Sequence, residues 1–376
     1  MVKNKLVAAN TRFAFKLFRA LTKQEPDKNI FISPASIAIA LSMTYNGSVG
    51  QTQAAMAIAL ELQEMSLQQV NEANAQLRQA LENLDNEVEL AIANSLWAQQ
   101  DVEFKRDFLQ RTQEFYGAKV TSLDFSAAEA LATINNWVSE NTHGKIKTIL
   151  QKLDPHTVLI LINAIYFKGI WTSPFDKENT HDRVFTLLDG TQKPYPMMSQ
   201  DGTYRYYQGE NFQAISLPYG SERLSMYIFL PEQDSSLEAF HKNLNAANWD
   251  KWMNQFHKMK GTIVLPRFKL EYQVELKDVL STLGMEAAFS VSGGFQQMCA
   301  EPVAISKVIH KTFLEVNEEG TEAAAATAME MTRSLSREPT FSMIVDRPFF
   351  CAIRDDDTGS LLFMGSIMEP QTATSK

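Results

Sequence analysis

The chain has 376 residues and a formal net charge of −9 at pH 7, an acidic balance that argues against nucleic acid or an anionic membrane as the main partner. Hydrophobic residues make up 45% and charged residues 21%, as in an ordinary soluble globule and unlike a disordered or repetitive chain. The most apolar run, residues 157–167, is interrupted by Asn163 and falls well short of the roughly 20 residues a membrane span requires.

In chain order, the first helical pattern puts Phe13, Leu17, Phe18 and Leu21 on one face, after a cap at Asn10 or Thr11. A second helix is expected from Ser33-Pro34 to Gly47, with Pro34 in the first turn, where proline is tolerated. A polar, alanine-rich stretch follows from Gln51 to Leu84. The period then changes: Val88, Leu90 and Ile92 alternate with Glu87, Glu89 and Ala91, a strand signal. Leu131, Ile134 and Val138 return to helical spacing, and Gly144 can end that helix. Strands are expected at 157–167, 224–230 and 262–270. Between them and the C-terminus a helix carries Leu276, Val279, Leu280 and Leu283, and Gly284 stops it. The last pattern is a hairpin, 349–354 and 361–367, around Asp355-Asp356-Asp357-Thr358-Gly359. No linker divides the chain, so helices first and strands later predict an α+β fold in a single domain, residues 1–376.

Catalytic signatures are missing from the sequence. It holds no G-x-S-x-G elbow, H-E-x-x-H, Walker loop or G-x-G-x-x-G, and its six histidines show no paired spacing. No enzyme activity, metal or cofactor is expected. Cys299 and Cys351 are too few and too far apart for a disulfide scaffold or a zinc site; two free thiols are expected, with Cys351 buried. Lys3 and Lys5 are not followed by an apolar core, so no signal peptide opens the chain. The location is left open: extracellular or periplasmic is expected if the chain is a trimmed mature form, and cytoplasmic otherwise.

Four segments carry a family resemblance. They are Asn29-Ile30-Phe31-Ile32-Ser33-Pro34-Ala35-Ser36 with Ala40-Leu41; Asn163-Ala164-Ile165-Tyr166-Phe167-Lys168-Gly169 with Trp171 and Phe175; Val316-Asn317-Glu318-Glu319-Gly320-Thr321-Glu322-Ala323-Ala324-Ala325-Ala326-Thr327; and Val345-Asp346-Arg347-Pro348-Phe349-Phe350 with Phe363-Met364-Gly365. In order and spacing the chain resembles the serpins, serine protease inhibitors. The resemblance implies three β-sheets, eight or nine helices and an exposed reactive-centre loop at about 318–338. It also implies a suicide-substrate mechanism, in which the cleaved loop inserts into the main sheet and traps the protease as an acyl-enzyme.

The loop residues suit that task. Alternate side chains of a strand face opposite ways, so Thr321, Ala323, Ala325, Thr327, Met329 and Met331 form one small or apolar face. Glu322, Ala324, Ala326, Ala328 and Glu330 form the other, which keeps both carboxylates in water. A slip of one residue would bury both. Read alone, the alanine-rich run is a surface helix capped by Thr321; the flanking motifs favour the inserting strand. Gly320 supplies backbone freedom at the hinge, which spans Glu318, Gly320, Thr321, Glu322, Ala323, Ala324, Ala325, Ala326 and Thr327. The intact small-residue run favours an inhibitor over a non-inhibitory carrier, storage protein or chaperone.

The resemblance further implies a polar shutter cluster of Ser33, Ser36, Asn163 and His310 beneath the sheet where strands part. It implies a breach of Trp171, Arg267 and Glu318 where the loop enters. The family register puts the reactive bond after Ser334, before Leu335, which suits an elastase-like or broad-specificity enzyme. One residue earlier, Arg333-Ser334 offers a trypsin-type bond, because arginine engages an acidic specificity pocket through charge-assisted hydrogen bonds. A trypsin-like serine protease cutting at Arg333 is favoured. The expected state is a monomer prone to loop-sheet polymers. The chain departs from heparin-binding serpins: between Glu61 and Glu89 its only basic residue is Arg78.

Overall fold

The computed structural model describes residues 2–84, 86–290, 294–321 and 340–371. Six α-helices precede the strand-rich part: α1 (Val2–Gln24), α2 (Pro34–Tyr45), α3 (Gly50–Ala59), α4 (Leu67–Glu82), α5 (Arg106–Arg111) and α6 (Ala130–Asn141). Among the described residues three more follow, α7 (Leu237–Asn243), α8 (Ala246–Met253) and α9 (Lys277–Leu280).

The described strands are β1 (Ile30–Ile32), β2 (Val88–Gln99), β3 (Lys119–Leu123), β4 (Leu159–Ile170), β5 (His181–Thr186), β6 (Gln192–Gln208), β7 (Phe212–Tyr219) and β8 (Leu224–Pro231). They continue with β9 (His257–Pro266), β10 (Phe268–Glu275), β11 (Ile305–Asn317), β12 (Gly320–Thr321), β13 (Thr340–Ile344), β14 (Phe349–Asp355) and β15 (Leu361–Ile367).

The helical face of Phe13, Leu17, Phe18 and Leu21 is buried, as its period requires. Its expected cap does not form. The helix begins at Val2, and Thr11 lies inside it, its hydroxyl donating to the Val7 carbonyl at 2.8 Å instead of capping. Ser33 does cap α2, accepting from the Ser36 N–H. Every residue of α2 is buried, so it is a core helix packed against β4 and β15.

The strands form an α+β fold around a six-stranded sheet in the order β10-β11-β12-β4-β2-β3 and a nine-stranded assembly. The long β6 explains how three expected sheets become two hydrogen-bonded ones. It pairs β5 and β9 along residues 192–206 and β7 along 205–208, fusing two sheets through one strand. The strand expected at 262–270 is two strands. Chain pairing breaks at Arg267, leaving β9 in the nine-stranded sheet and β10 in the six-stranded one. Apolar residues lie on both sides of the break, Ile263, Val264 and Leu265 before it and Phe268 and Leu270 after it, and all are buried.

β4 lies in the middle of the six-stranded sheet and is covered on both faces, which is why it reads as a continuous apolar run. Leu161, Ile165 and Phe167 enter the main core. Ile160, Ile162 and Ala164 face Ile134 and Val138 of α6. β4 pairs β11 in parallel from Leu159/Ile305 to Tyr166/Phe313. Beyond that point the two strands hold β12 between them.

Candidate functional site

The first cluster sits where β12 enters. Val316 pairs Thr321 and Asn317 pairs Gly320, so Glu318 and Glu319 are the two-residue tip of a hairpin. On its other side β12 pairs Ile170 and Gly169 of β4. Gly320 has φ of 142°, and a Cβ there would lie 2.1 Å from the Gly169 carbonyl oxygen. Glycine is therefore required both for the backbone angle and for the close approach. Thr321 is fully buried, its hydroxyl 2.9 Å from that of Tyr219.

Aromatic rings fix the floor of this entry. Tyr219 stacks on Trp171 at 4.3 Å between centroids and meets Phe167 edge-on at 5.1 Å. The Trp171 indole N–H donates to the Asn317 carbonyl at 2.9 Å, and its backbone N–H donates to Glu319 at the same distance. Arg267 Nε donates to Glu318 Oε1 at 2.6 Å, and the Thr180 hydroxyl donates to the same oxygen. The Glu318 side chain is only 2% exposed, against 40% for Arg267. This is a buried carboxylate, so removing its partner would leave an uncompensated charge, a far larger effect than loss of a surface ion pair. Lys177, three residues before Thr180, pairs Glu319.

The second cluster lies beneath the parallel stretch. The Ser33 N–H donates to His310 Nε2 at 3.1 Å, which leaves Nδ1 as the protonated nitrogen; it donates to Asn163 Oδ1 at 2.6 Å. The Asn163 amide donates to Asn94 Oδ1 and to Ser36 Oγ, each at 2.5 Å. The Ser33 hydroxyl donates to the Leu362 carbonyl at 2.6 Å. All five side chains are buried and mutually satisfied. Burial pushes the His310 imidazole down to about 3, so it is neutral. Asn94, Asn163 and His310 occupy one register row across β2, β4 and β11. Parting β4 from β11 breaks the His310–Asn163 bond.

Known proteins match this arrangement. A family model described as serpin (serine protease inhibitor) covers residues 8–370. The chain belongs to the serpin family. Serpin B6 of Macaca fascicularis is 38% identical over 382 residues, covering 97% of this chain and 99% of that protein. The leukocyte elastase inhibitor of Sus scrofa is also 38% identical, with the same coverage. Among solved structures, the thermophilic serpin tengpin in its native state superposes with a TM-score of 0.91 at 30% identity, over 97% of this chain and 94% of that one. Human thyroxine-binding globulin superposes at 0.92 with 29% identity, over 99% and 100%.

In this serpin, the expected polar residues Ser33, Ser36, Asn163 and His310 come together, and so do Trp171, Arg267 and Glu318. Glu322, Ala323, Ala324, Ala325, Ala326, Thr327, Arg333, Ser334 and Leu335 lie outside the described residues. Sequence reasoning missed Asn94, although an amide inside the apolar alternation of 88–99 is the same signal that marks Asn163. It also missed Tyr219, Thr180 and Lys177, which no local pattern connects with the hinge. Both cysteines are free and buried. Burial raises the Cys299 thiol to about 11 and raises that of Cys351 further, so neither is a thiolate at neutral pH.

Proposed function

We propose that this serpin is a suicide-substrate inhibitor of a serine protease. The observation that carries the reading is β12, a two-residue strand seated between β11 and β4 with Thr321 facing inward. It supports the alternation in which Thr321, Ala323, Ala325 and Thr327 form the inward face of a growing strand. The protease serine attacks a loop carbonyl, the peptide C–N bond breaks with a proton passing to the departing amine of the next residue, and an acyl-enzyme forms. Extension of β12 then replaces the parallel β4–β11 pairing with two antiparallel ladders, carrying the protease away before water deacylates it. The shutter residues Ser33, Ser36, Asn163 and His310 hold the strands until then, and Trp171, Arg267 and Glu318 hold the entry.

The favoured bond is Arg333-Ser334, cut by a trypsin-like protease, with Ser334-Leu335 as a second bait for an elastase-like or broad-specificity one. The rival is a non-inhibitory carrier, for which the likeness to a thyroxine-binding globulin speaks; the uninterrupted small residues of the hinge favour inhibition. Incubation with a panel of serine proteases tests the reading. A complex that survives SDS supports it, and free turnover by every protease would sink it. Mass spectrometry of the released C-terminal fragment assigns the bond: a start at Ser334 means Arg333, and a start at Leu335 means Ser334.

A further inference from the structure

The seating of β12 fixes the row that each following residue would occupy on insertion. Thr321 lies between Gly169 of β4 and Val316 of β11, and an antiparallel strand steps along both neighbours residue by residue. Continued in that register, Glu322 comes between Lys168 and Glu315, and Ala324 between Tyr166 and Phe313. Ala328 then comes between Ile162 and Ile309, and Glu330 between Ile160 and Lys307. Residues 322–332 lie beyond the described ones, but the rows they would fill are described. These rows point to the face of the sheet that α6 covers. Ile160, Ile162, Tyr166, Ile309 and Phe313 cluster there with Ile134 and Val138. Lys307 is the direct pair of Ile160, and Lys168 follows Tyr166 by two.

The strand matches its rows in size and in charge. Alanine falls where both neighbours are bulky; the Tyr166 and Phe313 rings already stand 6.1 Å apart between centroids. Glutamate falls where a neighbour is an uncommitted lysine. Lys168 and Lys307 are half-buried, and among the described residues neither has a carboxylate within ion-pair distance. Glu89, beside Lys168 on β2, pairs His143 instead, and Glu315 has Lys269 opposite it in β10. Lys311, in the row of Ala326, is committed to Glu271 at 2.6 Å and to the Thr148 carbonyl at 2.8 Å. We propose that Lys168 receives Glu322 at the entry and Lys307 receives Glu330 at the far end, and that the two lysines fix the register of the inserting strand. The inference rests on the inhibitory reading above. Alternation refuses a slip of one residue, which exchanges the faces. A slip of two leaves every side chain on its own face, so alternation does not refuse it. In one direction it puts Glu330 between Ile162 and Ile309, beneath α6, and in the other it puts Glu322 between the rings of Tyr166 and Phe313. A carboxylate has no partner in either place.

The test uses the full-length protein, with fluorescent peptides of residues 322–332 as the added strand. Dissociation constants are measured at low and high salt for wild type, K168Q and K307Q, with the parent peptide and with peptides carrying E322Q or E330Q. On wild type, E330Q should weaken binding about 2- to 5-fold at low salt, and on K307Q it should make no difference; E322Q should depend on Lys168 in the same way. Equal weakening on wild type and on the lysine variants would overturn the proposal, as would a sheet that binds none of the peptides. In the intact chain, K307E should raise the stoichiometry of inhibition about 2- to 5-fold, and adding E330K should restore it. A double variant no better than K307E would refute the pairing. Absence of any SDS-stable complex with wild type would instead refute inhibition, and the peptide cycle would still decide whether the lysines read the strand.

Discussion

The His310 imidazole makes opening of the six-stranded sheet depend on pH, and the size of the effect follows from its burial. In the closed sheet it is neutral, with Nε2 accepting from Ser33 and Nδ1 donating to Asn163. Its value there is pushed down to about 3. When β4 and β11 part and water reaches the ring, the value returns to about 6.5. The open state therefore binds the extra proton, and closure is favoured fully above pH 6.5 and progressively less as pH falls toward 3. Between pH 7 and pH 5 the shift is about 2 kcal/mol, or roughly 25-fold in the opening equilibrium. His241 is a second source in the same window, since burial pushes it down to about 4. The assay is the rate of heat-induced loss of monomer, followed at pH 7 and pH 5 for wild type, H310Q and H241Q. H310Q should lose most of the pH acceleration, and H241Q should retain the His310 share. If H310Q shows the wild-type ratio between the two pH values, the reasoning about the shutter is wrong.

Three further outcomes follow from the same geometry. T321R places a charge where Thr321 is fully buried against Tyr219, so β12 should be expelled and the protein turned into a substrate, with stoichiometry of inhibition rising several-fold; an unchanged value would remove the inward assignment. N94A deprives the buried Asn163 amide of an acceptor and should cost about 1–3 kcal/mol, read as a lower unfolding midpoint in urea with an unchanged slope. Cutting the loop with a protease that is not inhibited should raise the melting temperature well above that of the intact protein, because the proposed insertion requires a native form held kinetically; equal melting temperatures would argue against insertion.

Much of the site was legible because it is written in local contrasts. Asn163 is an amide in an otherwise apolar strand, and Ser33-Pro34 is a capping pattern that α2 obeys. Gly320 stands between two glutamates and a small-residue run, and its backbone angle and the close Gly169 carbonyl leave room only for glycine. The cap proposed at Asn10 or Thr11 failed for the opposite reason. A polar residue in a helical pattern can serve the helix from inside, and nothing local distinguishes the two uses.

The sequence by itself determined the family, the places of several helices and strands, and the two-faced composition of the segment after Gly320. These depend on periodicity, turn chemistry and residue size, which are properties of neighbours along the chain. Only the tertiary structure decided that Arg267 ends one strand and begins another in a different sheet, and that Glu318 is buried. It alone brought Thr180, Lys177 and Tyr219 to the hinge and added Asn94 to the polar row. Those contacts join residues from 69 to 142 positions apart. Burial of a charge or an amide is set by what packs on it from such distances, and that packing leaves no periodic mark in the chain.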